Sequence, residues 1–380
     1  MKGKLSLLII FIVGFYCLSF HLYGWITAQR VAFTPENSKE CSLTIDHGGN
    51  VYAVWADFSP GNYEIYFKRN FDQSTNAAVR LTWTSWPSNL PYITHSSLWN
   101  LHLVWQESVY SNAEIYYKNS TDAGLTWSAV KRLTWTPGGS MNPVIAADSS
   151  ENLHLIWREN RDGKMQLHYK KSTDGGASWS KVKRLMWTNG SAYFPQITVD
   201  TVDNIHIVWE DDSSGFSDIY YKKSTDGGST WSISKRITWN LNDSKIPDIV
   251  VDYSGNIHIV YQQFWSPSFI AYKKSEDGGV NWGPIVRLNW AHSGYWPVID
   301  VDSKDGIHVV WQESMLVGND EIIYKISPNN GADWLARVRL TWTDTDSQFA
   351  AMQVGNSDIV WVLWEDGPFG DKDIFWKNSK

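Results

Sequence analysis

One string of four residues recurs along this chain at nearly constant spacing. Arg-Leu-Thr-Trp, or a variant that keeps the Arg, an aliphatic residue and the Trp, begins at residues 80, 132, 184, 236, 287 and 339. Successive copies are therefore 51 or 52 residues apart. A unit of this length cannot bury its apolar faces alone, so neighbouring units must pack together. The 380 residues are thus predicted to form one large repeat domain.

Each repeat carries four segments with strand character. In the fourth repeat they span 195–200, 204–210, 217–223 and 233–239, and they are rich in Ile, Val, Tyr, Trp and Thr. Turn residues bound each segment. Four antiparallel strands in about 50 residues are typical of a propeller blade. The fold class is therefore predicted to be all-β.

The number of copies predicts how the repeats close. The second and third segments occur seven times, whereas the Arg-Leu-Thr-Trp segment occurs six times. Residues 29–46 align with 131–148, and the last repeat ends after a third segment at 371–380. We predict a seven-bladed β-propeller in which the N-terminal strand completes the last blade and removes an exposed edge. The alternative is an open stack of seven units, which would leave that strand unpaired.

The first 28 residues have a different character from the rest. Two lysines precede an apolar run of sixteen residues at 5–20, and cleavage after Ala28 fits the pattern of a signal peptide. This predicts a secreted, periplasmic or cell-surface protein with a single propeller domain at 29–380. The run is short for a spanning helix, and an uncleaved membrane anchor is the alternative. After cleavage only Cys41 would remain, which excludes an internal disulfide.

Composition and motifs limit the possible partners. The net charge is −7 and the basic residues are not clustered, which argues against a nucleic-acid partner. No Gly-rich phosphate loop or H-E-x-x-H string occurs, so no cofactor is expected. The protein is expected to be a monomer. One histidine per blade precedes the second-strand aromatic residue by three positions, and a closed ring would hold these apart. They are therefore predicted to be hydrogen-bonded core residues rather than metal ligands: His102, His154, His206, His258 and His308.

The connection between the third and fourth strands has its own signature. It reads KKSTDGGSTW at 222–231, with near copies at 118–127, 170–179 and 273–282 and a degenerate one at 325–334. The Asp is expected to accept backbone N–H groups, the Gly to supply positive φ, and the Trp to pack back onto the blade. We assign these turns a structural role that includes Asp122, Asp174, Asp226 and Asp277.

These segments resemble the Asp box, S-x-D-x-G-x-x-W, of sialidase-type (BNR) repeat propellers. The resemblance covers nearly the whole chain as a repeat, and it implies the fold without implying an activity. In that family the boxes lie on the face opposite the active site. Active relatives carry three substrate-binding arginines, one of them in an Arg-Ile-Pro string, with a Tyr–Glu nucleophile pair and an Asp acid. The nearest string here, SKIPDI at 244–249, has Lys245 in the arginine position.

The remaining candidates for catalysis recur in nearly every blade. The arginines of the Arg-Leu-Thr-Trp strings should be spread around the rim and pair with neighbouring blades. They are Arg80, Arg132, Arg184, Arg236, Arg287 and Arg339. An acid follows the second-strand aromatic residue by two positions in six blades: Asp57, Glu107, Glu159, Asp211, Glu313 and Asp366. Residues repeated in this way favour a structural role, so no catalytic residue is predicted.

Function is therefore expected where the repeat symmetry breaks, on the loop face opposite the Asp boxes. Aromatic residues beside polar groups there suit stacking on sugars or anchoring a protein, or they fill the central channel. We predict a non-catalytic binding protein for a glycan or protein ligand. The alternatives are an exo-acting, sialidase-like glycoside hydrolase and a surface scaffold on an uncleaved anchor. The candidate ligand-binding residues are Trp86, Arg158, Tyr193, Phe194, Asp211, Lys245, Trp265, Tyr295 and Trp296.

Overall fold

The computed structural model is a ring of seven four-stranded antiparallel sheets. It describes residues 24–31, 36–71, 76–96, 99–109, 112–315 and 318–380. The innermost strand of each sheet contacts the innermost strands of the two neighbouring sheets, and the last contacts the first. The predicted seven-bladed β-propeller is confirmed, and the open stack is excluded.

The first four blades follow one another along the chain. Blade 1 contains β2 (Ser38–Ile45), β3 (Val51–Asp57), β4 (Glu64–Arg69) and β5 (Val79–Arg80). Blade 2 contains β6 (Ser88–His95), β7 (Leu101–Val109), β8 (Asn112–Ser120) and β9 (Lys131–Arg132). Blade 3 contains β10 (Ser140–Ala147), β11 (Leu153–Arg161), β12 (Lys164–Ser172) and β13 (Lys183–Arg184). Blade 4 contains β14 (Ala192–Val199), β15 (Ile205–Asp211), β16 (Asp218–Ser224) and β17 (Lys235–Arg236).

The last three blades complete the ring. Blade 5 contains β18 (Ser244–Val251), β19 (Ile257–Gln263), β20 (Phe269–Ser275) and β21 (Val286–Arg287). Blade 6 contains β22 (Gly294–Val301), β23 (Ile307–Ser314), β24 (Asp320–Ser327) and β25 (Val338–Arg339). Blade 7 contains β26 (Gln348–Val354), β27 (Val360–Asp366), β28 (Asp373–Asn378) and the N-terminal β1 (Gln29–Arg30).

The outermost strands are shorter than the sequence predicts. The fourth strand of blade 4 was expected over 233–239, but only Lys235 and Arg236 pair as a strand. One more backbone bond follows, from the Ile237 N–H to the Ile219 carbonyl at 2.7 Å, and the return bond is made by a side chain, because Thr238 Oγ1 accepts the N–H of Ile219 at 2.9 Å. Arg236 Nε then donates to the Thr238 carbonyl at 2.7 Å, which fixes the bend of the chain.

The N-terminal strand closes blade 7 over more residues than predicted. Beside β1, the Val31 N–H donates to the Ile374 carbonyl at 2.8 Å, and the Ile26 N–H donates to the Asn378 carbonyl at 3.1 Å. The Trp25 ring also packs edge-on against Tyr324, with ring centroids 5.1 Å apart. Cleavage after Ala28 would therefore remove packed residues, and the rest of the predicted signal, residues 1–23, lies outside the described residues. No helix that could span a bilayer is found in the described part of the chain.

A third-strand lysine joins each blade to the preceding one. Lys118 Nζ, for example, donates to the Leu81 carbonyl across the interface of blades 1 and 2 at 2.9 Å. Burial lowers the pKa of these ammonium groups. At the closing interface Lys68 bonds to the Val31 carbonyl at 2.6 Å, so the ring closes with the same bond. The seven lysines are Lys68, Lys118, Lys170, Lys222, Lys273, Lys325 and Lys377.

The Asp boxes join neighbouring blades as well as closing a turn. Asp226 accepts the Thr230 N–H at 2.8 Å, as expected for the turn. Trp231, however, packs edge-on against Tyr169 of the preceding blade at 5.3 Å, whereas the sequence suggested packing on its own blade. Gly228 has φ 83°, and a Cβ there would lie 1.9 Å from the Tyr169 hydroxyl. The box glycine is therefore required twice, by the backbone conformation and by the close approach of a neighbouring ring.

The histidines extend this contact into the core. Tyr169 Oη lies 2.9 Å from His154 Nδ1, and His154 Nε2 lies 3.1 Å from Asp148. Equivalent Tyr–His–Asp chains occur in blades 4 to 6, while His102 of blade 2 bonds to Tyr117 and Ser96. These side chains are buried, and the hydrogen-bonded core role predicted for the five histidines is what the geometry shows.

Candidate functional site

Every inner strand is interrupted by a β-bulge on the loop face. The register shifts after its second residue in blades 1 to 6 and after its first residue in blade 7, and the next residue has positive φ in all seven blades. Non-glycine residues rarely adopt this conformation, and such strain often accompanies functional sites. Here it recurs in each blade, so the backbone alone does not single out one position. We call the seven positive-φ residues the bulge ring: Glu40, Leu90, Asn142, Phe194, Ile246, Trp296 and Phe349.

Three aromatic members of the bulge ring meet at the centre of the propeller. Phe194 packs edge-on against Trp296 with centroids 5.3 Å apart, and Trp296 packs against Phe349 at 5.0 Å. They come from blades 4, 6 and 7, so the contact between Phe194 and Trp296 bypasses blade 5. Phe349 stays 36% exposed. The cluster therefore covers the mouth of the channel and still presents aromatic surface to solvent.

Blade 3 departs from the polar pattern around this mouth. In blades 2, 4, 6 and 7, the residue directly after the second-strand Trp accepts the N–H of the next blade's bulge-ring residue. In blade 3 that position is Arg158, which cannot accept a hydrogen bond. Arg158 Nε instead donates to Asn142 Oδ1 at 2.7 Å, and its guanidinium lies 5.3 Å from the centroid of the Tyr193 ring. The side chain is thereby held in one orientation beside the aromatic cluster.

The carboxylates near the mouth are engaged with the protein. Burial raises the pKa of Glu210, which accepts Ser217 Oγ at 2.8 Å and the Ile246 N–H at 3.4 Å. Burial also raises the pKa of Glu365 to about 7, and this carboxylate accepts the Glu40 N–H at 2.6 Å. Both side chains are almost fully buried. Their oxygens hold the strained bulges in place, which favours a positioning role over acid–base chemistry.

Other predicted residues are distributed over the same face. Lys245 is paired with Asp243 at 3.0 Å and lies 5.0 Å from the Phe264 ring centroid. Trp265 is 62% exposed on the neighbouring loop, whereas Trp86 and Tyr295 are half-buried.

Asp211 is the predicted surface residue that the structure moves to the interior. It is fully buried, and it accepts hydrogen bonds from Thr188 Oγ1 at 3.2 Å and Trp209 Nε1 at 3.4 Å. Trp and acid two residues apart on a strand share one face, and the same indole–carboxylate bond recurs in other blades. The prediction that Asp211 lies on the ligand-binding surface was therefore wrong, and the repeated acids accept hydrogen bonds inside the blades.

The repeated arginines also have a local partner. Arg132 forms an ion pair with Glu114 of its own blade at 3.0 Å, and Arg236 does so with Asp218 at 2.6 Å. The prediction that these arginines pair with neighbouring blades was therefore wrong, because the acid at the start of the third strand is nearer.

Sequence inspection missed Glu40, Glu210 and Glu365. The available signal for Glu210 and Glu365 was the residue directly after the second-strand Trp, which changes from blade to blade while the acid one position later is kept in six blades. Glu40 lies on the inner strand of blade 1, where this signal does not apply. Two pockets lie away from the aromatic cluster of Phe194, Trp296 and Phe349. One, of about 440 Å³, lies at the closing blade around Arg30, Asp366 and Asp373, and the other, of about 600 Å³, adjoins an Asp box at Trp282.

Comparison with solved structures places the chain among propellers that include carbohydrate-active enzymes. An ulvan lyase bound to -[GlcA(1-4)Rha3S]- is 12% identical over 90% of this chain and 94% of its own, with a TM-score of 0.62. The NanB sialidase from Streptococcus pneumoniae is 13% identical over 92% of this chain and 70% of its own, with a TM-score of 0.51. A protein of unknown function from Dyadobacter fermentans is 13% identical over 93% and 99%, with a TM-score of 0.54. At these identities the likeness shows a shared fold.

Sequence comparison identifies the repeat itself. The search of curated proteins gave no match. The family model described as BNR repeat-like domain matches residues 87–295, which is more than half of the chain. This span contains the Asp boxes of blades 2 to 5 and their conserved turn geometry. The chain belongs to the BNR repeat-like domain family of β-propellers.

Proposed function

We propose that this propeller binds an acidic saccharide at the mouth of its channel and does not cleave it. The observation that carries the proposal is the position of Arg158 beside the cluster of Phe194, Trp296 and Phe349. Aromatic rings suit the apolar face of a sugar, and a guanidinium suits a carboxylate or sulfate through two parallel hydrogen bonds. Among the described residues, no partner is found for the Arg158 Nη atoms, so both remain available to an anion.

The solved structures with this fold support a carbohydrate ligand with an acidic group. The ulvan lyase is bound to a saccharide that contains glucuronate and a sulfated rhamnose, and two other neighbours are described as sialidases. A binding role is favoured over catalysis because the nearby carboxylates of Glu210 and Glu365 already accept backbone N–H groups. Lys245, in the position of the expected arginine, is neutralised by Asp243.

A sialidase-like activity is the second candidate, and one observation favours it. Tyr193 and Glu210 are direct cross-strand partners, the residue types of the nucleophile pair implied by the Asp-box resemblance. Against it, Arg161, the other arginine of β11 in blade 3, is held by Glu159 at 3.0 Å. A sialic acid carboxylate would then meet one guanidinium rather than a cluster, with poor compensation for its lost hydration. An export signal would place either activity outside the cytoplasm.

The proposal is tested by calorimetric titration with oligogalacturonate, using neutral dextran oligosaccharides as the comparison. Arg158→Met should weaken oligogalacturonate binding by about 10- to 100-fold, as loss of a charged hydrogen-bonding pair would. Arg161→Met, which changes an arginine of the same strand that is already paired with Glu159, should leave the affinity unchanged. Equal binding by wild type and Arg158→Met would contradict the proposal. Turnover of a fluorogenic sialoside that is lost in Tyr193→Phe would establish the second candidate instead.

A further inference from the structure

Six tryptophans on the outer strands are far more exposed than any structural role requires. They follow the fourth strand of blades 1 to 6 and are 65–72% exposed, whereas the tryptophans at the repeated position near the end of the second strand are at most 1% exposed. Trp is a residue that folded chains usually bury to a large extent. We call this set the Trp crown: Trp83, Trp135, Trp187, Trp239, Trp290 and Trp342.

Five of the six rings of the crown are contacted by an arginine of their own blade. The Arg80 guanidinium lies 5.5 Å from the Trp83 ring centroid, and Lys118 of the next blade lies 5.9 Å away. The same arginine contact recurs in four more blades. The orientation of the indole is therefore fixed before any ligand arrives, while much of its surface remains in water. Preorganisation of this kind lowers the entropic cost of binding.

Shielding of the interblade lysine does not account for the crown. Trp239 is 65% exposed like the others, although no cation is found over its ring among the described residues. A smaller apolar side chain could also cover the Lys118–Leu81 bond without adding exposed aromatic surface. The exposed part of each ring needs a further explanation.

The arrangement of the crown decides what kind of ligand fits. Its members directly follow the outermost strands of six different blades, so they are distributed around the perimeter instead of forming one patch. A stable protein interface needs about 800 Å² of continuous surface on each partner, which separate indoles do not provide. A ligand with the same unit repeated many times can occupy separate, equivalent sites. A polysaccharide has this property.

The charges beside the crown favour a neutral sugar. The arginine next to Trp83 is paired with buried Glu64 at 3.0 Å, and the arginine next to Trp342 is paired with buried Glu321 at 2.6 Å. These guanidinium groups are already neutralised, so an acidic sugar would gain little from them. A flat, open indole best matches the flat face of a pyranose whose hydroxyl groups and anomeric oxygen are all equatorial, which is the geometry of β-linked glucans and their N-acetylated analogues.

We propose that the Trp crown is a set of six equivalent stacking sites that bind a neutral β-linked polysaccharide multivalently. This site is separate from the channel mouth and takes a different class of glycan. Each site would bind weakly alone, and occupancy of several sites by one polymer would raise the overall affinity through effective concentration. The protein would then attach to a glucan or chitin-like matrix by its perimeter while its loop face stays open.

Affinity electrophoresis in gels that contain hydroxyethyl cellulose or glycol chitin tests the proposal. Wild type should be retarded in at least one of the two gels. A single Trp135→Ala change should weaken retention by about two- to fivefold, and the triple change of Trp135, Trp187 and Trp290 to Ala by more than about 50-fold, because avidity multiplies. Trp99→Ala, which removes a 50% exposed tryptophan outside the crown, should behave like wild type.

Changing Trp135, Trp187 and Trp290 to Phe keeps an aromatic ring beside each arginine and controls for a folding defect. The melting temperatures of all variants are compared. Its retention should lie between those of wild type and the triple Ala variant. Wild-type migration without retardation in both gels would overturn the proposal. So would a triple Ala variant that is retained like wild type, or a Trp99→Ala variant that loses retention. The probes are neutral, so failure here is distinguishable from failure at Arg158, which is measured with an acidic oligosaccharide.

Discussion

At the residue scale, half-buried carboxylates that bridge blades hold the inner wall of the ring together. Asp248 on the inner strand of blade 5 accepts the Ile299 N–H of blade 6 at 2.9 Å. Asp300 in turn accepts the Val354 N–H of blade 7 at 2.7 Å. Inner strands of separate sheets do not share a hydrogen-bonded ladder, so these carboxylates satisfy backbone donors that would otherwise be unpaired.

Burial raises the pKa of Asp248 from 3.8 to about 7, with a further contribution from Asp300. A carboxyl whose pKa is raised on folding stabilises the protein fully below its unfolded pKa, and this contribution is lost as the pH rises through the folded value. We therefore expect the melting temperature of wild type to fall between about pH 4 and pH 7 more steeply than that of Asp248→Asn, which keeps a carbonyl oxygen and does not titrate.

The control is Asp174→Asn in an exposed Asp box. Hydrogen bonds from Ser178 lower the pKa of the Asp174 carboxyl to about 2, so the contribution of this carboxyl to stability is lost only as the pH falls below about 4. If the melting temperatures of wild type and Asp248→Asn change in parallel from pH 4 to pH 7, burial of the Asp248 carboxyl is not the cause of the pH dependence.

At the scale of the element, the Asp box is both a turn and an interblade contact. Its Asp closes the hairpin, its Trp packs on a tyrosine of the preceding blade, and its Gly allows that ring to approach. Comparison of two glycines separates the effect of the backbone conformation from that of the neighbouring ring. Gly228 in the box and Gly255 in a hairpin between the first two strands of blade 5 both have φ 83°, but only Gly228 has a neighbour within 4 Å of an added Cβ.

Gly255→Ala should lower the free energy of unfolding by about 1–2 kcal/mol, the cost of a left-handed conformation for a residue with a Cβ. Gly228→Ala carries that cost and also forces the Tyr169 ring away, which adds about 1–3 kcal/mol. Denaturant titration of both variants measures the difference. Equal destabilisation would mean that the contact with Tyr169 contributes nothing.

At the scale of the whole molecule, closure of the ring depends on a short N-terminal strand. Val31 is fully buried, its carbonyl accepts Lys68 of blade 1, and Arg30 pairs with Asp373 of blade 7 at 3.0 Å. The N-terminal residues thus contact both blades at the closing interface. The other six interfaces between neighbouring blades of the ring lie between blades that are adjacent in sequence.

Deletion of residues 24–31 should lower the free energy of unfolding by several kcal/mol, because blade 7 loses its outer strand and Lys68 loses its acceptor. The melting temperature is the measurement. A synthetic peptide of residues 24–31 should partly restore it, and the same peptide with Val31→Asp should not, since Val31 is buried. An unchanged melting temperature after deletion would be incompatible with closure by this strand.

The sequence alone determined the architecture of this protein. A repeat of 51 or 52 residues with strand-forming segments leaves few ways to bury its faces, and the displaced copy at 29–46 specified how the ring closes. The structural roles of the repeated histidines and acids also followed from symmetry, because side chains held in equivalent blades cannot converge on one site.

Only the tertiary structure decided which side chains lie together on the loop face. Phe194, Trp296 and Phe349 come from three blades, and their contact depends on how those blades are arranged around the ring. Exposure was equally undetermined, since the pattern that buries Trp209 leaves Trp239 in solvent. Local spacing fixes which face of a strand a residue occupies, but whether that face meets another blade or water is a property of the assembled ring.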